Sequence, residues 1–221
     1  MEWEKAAEVM NRILPGETVL VEYTTSYIPE FLLRFFVDYS KRTGTALLID
    51  DNFDTLHTII THAEFMNLTI DLRDVYVQKT GGRIELGKVV AKVPFHSDPR
   101  IYLKNYEETS QRVFKEVPSP TINLVLGLEN IFLIVRNPFD VYRILLAIQR
   151  FTGNKRRKAF YIVNRKVMES LPVNVLPELE RISTTLIELS PYHTGANLRV
   201  KKSVNLSLAG KEVNIDARGW E

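Results

Sequence analysis

Polar residues follow several apolar segments of this sequence, at the places where predicted strands would end. They are Thr24, Thr25, Ser26, Asp50, Asp51, Glu129, Asn130, Asn164 and Arg165. The carboxyl ends of parallel strands meet at one edge of an open α/β sheet, where ligands bind. One interpretation is a cleft that holds a cation or a polar small molecule through Asp50, Asp51 and Glu129. The other, which we favour, is that the hydroxyls cap a helix and the carboxylates are solvated at strand ends.

The adjacent carboxylates of Asp50 and Asp51 raise the question of general acid–base catalysis. Neighbouring strand residues point to opposite faces of a sheet, so at most one would enter a shared site unless the strand has ended. His57 and His62 are five residues apart, which misses the i, i+4 spacing of two metal ligands on one helix face. The sequence has no cysteine, which removes thiol catalysis and cysteine-ligated zinc. We therefore expect no catalytic residue, no metal site and no cofactor.

The densest positive run is Lys155, Arg156, Arg157 and Lys158, between a predicted helix end and a predicted strand start. This position lies on the sheet edge opposite the cleft. Such a run could bind nucleic acid or another anionic surface. We favour a solvated loop that partly complements the C-terminal end of the preceding helix. The formal net charge of +2 is too small to indicate nucleic-acid binding by itself.

The composition of the 221-residue chain, 45% hydrophobic and 25% charged, is ordinary for a soluble globular protein. The N-terminal segment has no apolar core of the length that a signal peptide requires. No apolar run reaches the length of a membrane span. We therefore expect a cytoplasmic protein that does not bind membranes.

Strand-like apolar segments alternate with segments of helical period from Thr18 to Asn164. Predicted strands include Thr18–Tyr23, Thr45–Asp51, Val75–Thr80 and Lys158–Asn164. This alternation is typical of crossover units and a mainly parallel sheet. The C-terminal region reads as closing strands, largely antiparallel. We predict a three-layer α/β/α fold with antiparallel strands at the C-terminal end, formed by a single domain over residues 1–221.

Several of these segments match the pattern of a known family. Pro15-Gly16 is followed by VLVE, the second strand ends in IDD, and INLVLGLEN and KAFYIVN occupy two further characteristic positions. The chain resembles the RecA-like core of the KaiC and RadA ATPases, and is most similar to an uncharacterised archaeal family of degenerate KaiC-like proteins. The resemblance covers nearly the whole chain.

In an ungapped comparison with that family, the phosphate-loop glycines are replaced by Tyr23, Ser26 and Ile28. The loop lysine is replaced by Pro29, and the metal-binding hydroxyl by Glu30. A phosphate loop needs backbone N–H groups turned inward, a lysine on the phosphates and a hydroxyl on Mg²⁺. The resemblance therefore implies the fold of an ATPase with a degenerate phosphate loop.

The metal-binding aspartate of the family is replaced by Gly127, with Glu129 two residues later. We therefore expect a pseudo-ATPase, a non-catalytic domain that acts by association with itself or another protein, or by binding a small ligand. Two alternatives stay open. One is a nucleotide-binding protein with an atypical site, in which Arg165 or a neighbour's basic residue replaces the lysine. The other is a nucleic-acid-binding protein that uses residues 155–158.

The segment TINLVLGLENIFLIV is read as one strand with a following loop, or as two strands. If NIFLIV is not a sheet strand, the resemblance implies that it is a subunit contact, since the related ATPases pack head to tail. We therefore expect a homo-oligomer.

Overall fold

The computed structural model describes residues 2–24, 27–135, 137–192 and 195–216. Its strands are β1 (Thr18–Tyr23), β2 (Leu47–Asn52), β3 (Tyr76–Thr80), β4 (Lys88–Val93), β5 (Thr121–Leu126), β6 (Arg157–Asn164), β7 (Thr185–Tyr192), β8 (Gly195–Lys202) and β9 (Glu212–Asp216). Its helices are α1 (Glu2–Arg12), α2 (Ile28–Thr43), α3 (Thr55–Phe65), α4 (Pro99–Glu116), α5 (Leu128–Ile134), α6 (Pro138–Arg150), α7 (Arg165–Glu169) and α8 (Leu176–Ile182). No helix within these ranges is long and apolar enough to cross a membrane.

The strands form one nine-stranded sheet in the order β4-β3-β2-β5-β6-β1-β7-β8-β9. Every pair from β4 to β7 in this order is parallel. The last two pairs, β7 with β8 and β8 with β9, are antiparallel. The predicted fold class is therefore confirmed, a mainly parallel α/β sheet with antiparallel strands at the C-terminal end.

Helices cover both faces of the sheet because alternate residues of each strand point to opposite sides. Val19 and Val21 of β1 pack in one apolar cluster with residues of α1, α2 and α3, including Phe36. Leu20, between them, packs in a second cluster with residues of α5 to α8, including Ile144. The strands are thus buried on both sides, which explains why the central ones read as continuous apolar runs.

The segment after β5 is neither the loop nor the second strand that the sequence left open. The strand ends at Leu126, and the chain continues as the short helix α5. Leu128, Ile131 and Phe132 are buried, at the i, i+3, i+4 spacing of one helix face. The prediction was wrong because a short apolar run does not distinguish a buried strand from a buried helix.

Candidate functional site

A cleft of about 270 Å³ opens at the carboxyl ends of β1, β5 and β6. The first turn of α2 forms one wall and α3 forms the other. Its polar lining comprises Tyr23, Tyr27, Glu30, Thr55, Thr58, His62, Glu129 and Asn164. The cleft therefore lies at the sheet edge where the sequence left a ligand site open as the less favoured interpretation, between the two helices that follow β1 and β2.

Glu30 occupies the first turn of α2, where the helix dipole favours a negative charge. The residue is 2% exposed. Its Oε1 lies 2.9 Å from Nδ1 of His62 on α3. Its Oε2 has no hydrogen-bond partner among the described residues. One oxygen of this buried carboxylate therefore has a hydrogen-bond partner, and the other has none among the described residues.

Glu129 lies in the first turn of α5 and contributes a second carboxylate to the cleft. Its Oε2 is likewise without a hydrogen-bond partner in the described part of the chain. Burial raises the pKa of Glu129, against the opposing effect of its own backbone N–H and that of Asn164. Burial and the charge of Glu129 also raise the pKa of the Tyr23 phenol. The cleft thus holds negative charge that its walls compensate poorly.

This electrostatic character determines which ligands the cleft can accept. Among the described residues that line it, none is a lysine or an arginine. A phosphate group would meet the carboxylates of Glu30 and Glu129 without a compensating cation. Like charges at close range are strongly unfavourable in a partly desolvated site. The arrangement suits cationic or neutral hydrogen-bond donors.

Pro29, Glu30, Glu129 and Asn164 are the predicted site residues that the structure brings together in this cleft. Asn164 also caps α7, because its Oδ1 accepts a hydrogen bond from the Val167 N–H at 3.2 Å. Of the hydroxyl residues of the turn, Thr24 follows β1, is half-buried and is not among the described residues that line the cleft. Thr25 and Ser26 lie outside the described residues.

Asp50 and Asp51 lie inside β2, which continues to Asn52, so they do not reach the cleft. Asp50 points to α4 and accepts hydrogen bonds from the Tyr106 hydroxyl at 3.0 Å and from Asn123 Nδ2 at 3.2 Å. Burial raises the pKa of Asp50 to about 6. This corrects the expectation that both carboxylates stand at the strand end, since the strand ends one residue later than predicted, at Asn52.

Asp51 points to the opposite face, as the alternation of a strand requires. Its Oδ1 accepts a hydrogen bond from the Leu56 N–H at 2.9 Å, and its Oδ2 accepts one from Lys79 Nζ at 2.8 Å. Lys79 Nζ also lies 2.5 Å from Oδ1 of Asp54. Asp51 is therefore a structural residue that fixes the start of α3 and neutralises a buried lysine.

Asn130 and Arg165 lie near the cleft but do not line it. Asn130 Nδ2 donates a hydrogen bond to Thr55 Oγ1 at 3.1 Å. Arg165 makes ion pairs with Glu22 at 3.3 Å and with Glu169 at 2.8 Å. Because the Arg165 guanidinium is already paired with two carboxylates, it is poorly placed to replace a phosphate-binding lysine.

The basic run does not form a continuous surface. Arg157 is 1% exposed, donates a hydrogen bond to Asn123 Oδ1 at 2.6 Å and lies 5.0 Å from the Phe151 ring centroid. Lys158 is partly buried against α1, where its Nζ lies 3.4 Å from the Met10 carbonyl oxygen. Only Lys155 and Arg156 are exposed. Because Arg157 is buried, the suggestion that it contributes to a surface patch for anionic ligands is wrong.

Sequence reasoning missed Tyr27, Thr55, Thr58 and His62 as cleft residues. His62 was considered only as a metal ligand together with His57, and its side chain, although 47% exposed, contacts Glu30. The tyrosine in the turn before α2 was the only local signal, since aromatic residues often line ligand pockets. The positions of Thr55, Thr58 and His62 depend on how α3 packs beside α2, which no local pattern reveals.

Gly127 forms the floor of the cleft between β5 and α5. Its φ is 72°, in the left-handed region that favours glycine. A Cβ at this position would lie 2.7 Å from the Asn52 carbonyl oxygen and 2.2 Å from Thr55 Oγ1. The backbone of β2 therefore approaches too closely for any side chain here.

Comparisons with known proteins agree with this architecture. The chain matches the family DUF257, described as "Pyrococcus protein of unknown function", over residues 8–214. A solved structure from Pyrococcus horikoshii OT3 is 30% identical, with 97% of this chain and 98% of that chain covered and a TM-score of 0.79. The flagellar accessory protein FlaH from Methanocaldococcus jannaschii is 18% identical, with 94% and 89% covered and a TM-score of 0.59.

The likeness to FlaH shows the fold alone, and this fold is RecA-like. No curated protein matches the sequence. The family match spans most of the chain, and the Pyrococcus horikoshii structure agrees with it over nearly the full length of both proteins. The chain belongs to the DUF257 family of Pyrococcus proteins.

Proposed function

We propose that this protein is a non-catalytic RecA-like domain that acts through binding and does not hydrolyse ATP. The observation that carries the proposal is the buried carboxylate of Glu30 in the first turn of α2. In the ATPases that the sequence resembles, this turn holds the phosphate loop. A carboxylate at that place opposes phosphate, and the loss of the lysine removes a main stabiliser of phosphoryl transfer.

The opposite wall of the cleft supports the same conclusion. The resembled ATPases carry a metal-binding aspartate at the position of Gly127. In this backbone a side chain there would overlap with the Asn52 carbonyl oxygen. Asp51, the nearest alternative on β2, is bonded to Lys79 and to the backbone of α3. Neither position is therefore free to hold Mg²⁺ for nucleotide chemistry.

We include self-association in this proposal, as a homo-oligomer. Helix α5 exposes about half of Leu133 and of Ile134 (52% and 51%), and Phe139 at the start of α6 is 76% exposed. The related ATPases pack head to tail, and this apolar surface is suited to such a contact. Light scattering at several protein concentrations tests it. A monomer at every concentration, unchanged in the Leu133→Asp variant, contradicts self-association.

The test of the non-catalytic role is phosphate release from ATP with Mg²⁺, together with thermal unfolding in the presence of ATP, ADP and Mg²⁺. We expect no turnover and no rise in Tm with nucleotide concentration. A ligand at a hundred times its Kd stabilises a protein by about 2.7 kcal/mol, which shifts Tm by several degrees for a chain of this size. Mg²⁺-dependent turnover that is lost in Glu129→Gln would overturn the proposal.

A further inference from the structure

The geometry points to a small organic cation as the ligand of the cleft, namely a primary ammonium or guanidinium group on a short apolar stem. This inference rests on the proposed function, because it requires that the cleft no longer serves a phosphate. It goes further, since it names the chemistry of the ligand. Its evidence lies in the unsatisfied carboxylate oxygens, the aromatic walls and the dimensions of the cleft.

The carboxylate oxygens supply the first part of the argument. Oε2 of Glu30 and Oε2 of Glu129 are both buried and both lack a hydrogen-bond partner within the described residues. Each lies in a side chain that lines the cleft. A buried acceptor without a donor costs free energy that a bound donor recovers. Because a carboxylate accepts its strongest hydrogen bonds from ammonium or guanidinium groups, a cationic donor recovers the most.

The second part is the position of His62. Its Nδ1 is engaged with Oε1 of Glu30, so the imidazole restrains the carboxylate and leaves Oε2 without a hydrogen-bond partner among the described residues. The His62 side chain is half exposed. Its ring also contacts Tyr27, with centroids 6.1 Å apart at an interplanar angle of 80°. The Glu30 acceptor is therefore held in place before any ligand arrives, which lowers the entropic cost of binding.

The walls favour an organic cation over a metal ion. Tyr23 and Tyr27 line the cleft together with the apolar side chains of Ile59, Leu126 and Ile162. Aromatic faces attract ammonium and guanidinium groups, and an alkyl stem would pack on the aliphatic side chains. The described residues contain no group of three histidine or acidic side chains placed to hold a metal. The cleft of about 270 Å³ is also far larger than a bare ion needs.

Proton linkage follows from the same carboxylates. Burial raises the pKa of Glu129 above its ordinary value. The other titratable groups that face this cleft are Tyr23 on β1, Tyr27 and Glu30 at the start of α2, and His62 on α3. A bound cation favours the ionised form of Glu129, so binding releases a proton at any pH where this carboxyl is protonated. Affinity is therefore expected to rise with pH until Glu129 is fully ionised.

The experiment titrates the full chain with n-butylammonium and n-butylguanidinium, with n-butanol and butyrate as neutral and anionic controls of the same stem. Binding is followed by two-dimensional amide NMR and by calorimetry in two buffers of different ionisation enthalpy. We expect saturable shifts confined to residues 27–30, 55–62 and 127–130 for the cations only. The buffer comparison should show proton release.

The variants Glu30→Gln and Glu129→Gln keep the shape of the side chain and remove its charge. Each should weaken cation binding by about tenfold, or about 1.4 kcal/mol. The matched control is Glu64→Gln, an exposed residue of α3 outside the cleft lining, which should bind as the unmodified protein does. Amide spectra of each variant establish that it is folded before the titration.

The outcomes separate this inference from the proposed function. Absence of shifts with both cations, or equal affinity in Glu30→Gln and Glu129→Gln, overturns the organic-cation site while the non-catalytic role stands. Shifts produced by Mg²⁺ or Mn²⁺ and not by the amines also overturn it, in favour of a metal. Saturable ATP binding that maps to the same residues overturns both.

Discussion

Nδ1 of His62 lies 2.9 Å from Oε1 of Glu30, and this contact joins the last turn of α3 to the first turn of α2 across the cleft. The two side chains differ in environment, since Glu30 is 3% exposed and His62 is 47% exposed. The histidine therefore provides a hydrogen-bond partner for a carboxylate that is almost completely buried.

Replacement of His62 by alanine is expected to destabilise the fold. The variant leaves both oxygens of the buried Glu30 carboxylate without a partner among the described residues, a loss of about 1–3 kcal/mol. Urea unfolding gives the free energy of unfolding. The control is His57→Ala, on the same helix and outside the cleft lining. An equal loss in both variants would show that the contact with Glu30 contributes nothing specific.

The stability of the protein is expected to depend on Glu22. Burial, and the nearby charge of Glu180, raise the pKa of Glu22 from 4.5 to about 7, although Arg165 opposes the shift. A carboxyl with a raised pKa binds its proton more tightly in the folded state. Its contribution to stability is fully present below pH 4.5 and is lost as the pH rises through about 7.

Glu22→Gln imitates the protonated carboxyl, so the variant should match the unmodified protein near pH 4.5 and exceed it at pH 8 by about 1–3 kcal/mol. Chemical unfolding at a series of pH values measures the difference. The control Glu169→Gln removes the exposed partner of the same Arg165 and should leave the pH dependence unchanged. A Glu22→Gln curve parallel to that of the unmodified protein would refute the pKa argument.

Lys79 is expected to be important for stability because it is 4% exposed and pairs with Asp51 and Asp54. Lys79→Met removes the cation and leaves the buried Asp51 carboxylate uncompensated. The expected loss is about 3–5 kcal/mol, read from denaturant unfolding. Lys92→Met, at an exposed ion pair on β4, should cost less than about 1 kcal/mol. Similar losses in the two variants would contradict the role of the buried pair.

Gly127→Ala is expected to destabilise the protein and to disturb the cleft. The new Cβ would meet the Asn52 carbonyl oxygen in a left-handed backbone, and overpacking of this kind costs about 1–3 kcal/mol beyond the conformational term. The control Gly44→Ala measures only the cost of placing a side chain in a left-handed backbone, since the φ of Gly44 is 67° and a Cβ there meets nothing within 4 Å. If thermal unfolding shows the same loss for both, the close approach of β2 is unimportant.

The strands were largely predictable because burial on both faces requires a continuous apolar run in the sequence. β1 and β3 were predicted to within one residue of their observed bounds. The helix α5 was not predicted. Its seven residues are too few to distinguish a helix from a strand by their pattern of apolar and polar side chains. Its start depends on Gly127, whose left-handed conformation is required by the neighbouring strand rather than by its own segment.

The candidate site was predictable in part. Pro29, Glu30, Glu129 and Asn164 follow apolar segments, and the rule that ligands bind at the carboxyl ends of parallel strands placed them at one edge. Asp50 obeys the same local pattern, and Arg157 belongs to the basic run at the opposite edge, yet both are buried in the sheet interior. Their hydrogen-bond partner Asn123 belongs to β5, far from both in sequence. The hydrogen bonds that accommodate the two buried side chains therefore cannot be predicted from the residues next to them in the sequence.

The sequence alone determined the alternation of strands and helices, the parallel sheet and the edge at which polar side chains gather, because these depend on residue types at short spacing. The tertiary structure alone decided which carboxylates face the cleft. Strands β5 and β6 lie between β2 and β1, and α3 packs beside α2 so that His62 reaches Glu30. Such contacts join residues that are distant in the chain, and their geometry follows from packing across the whole sheet.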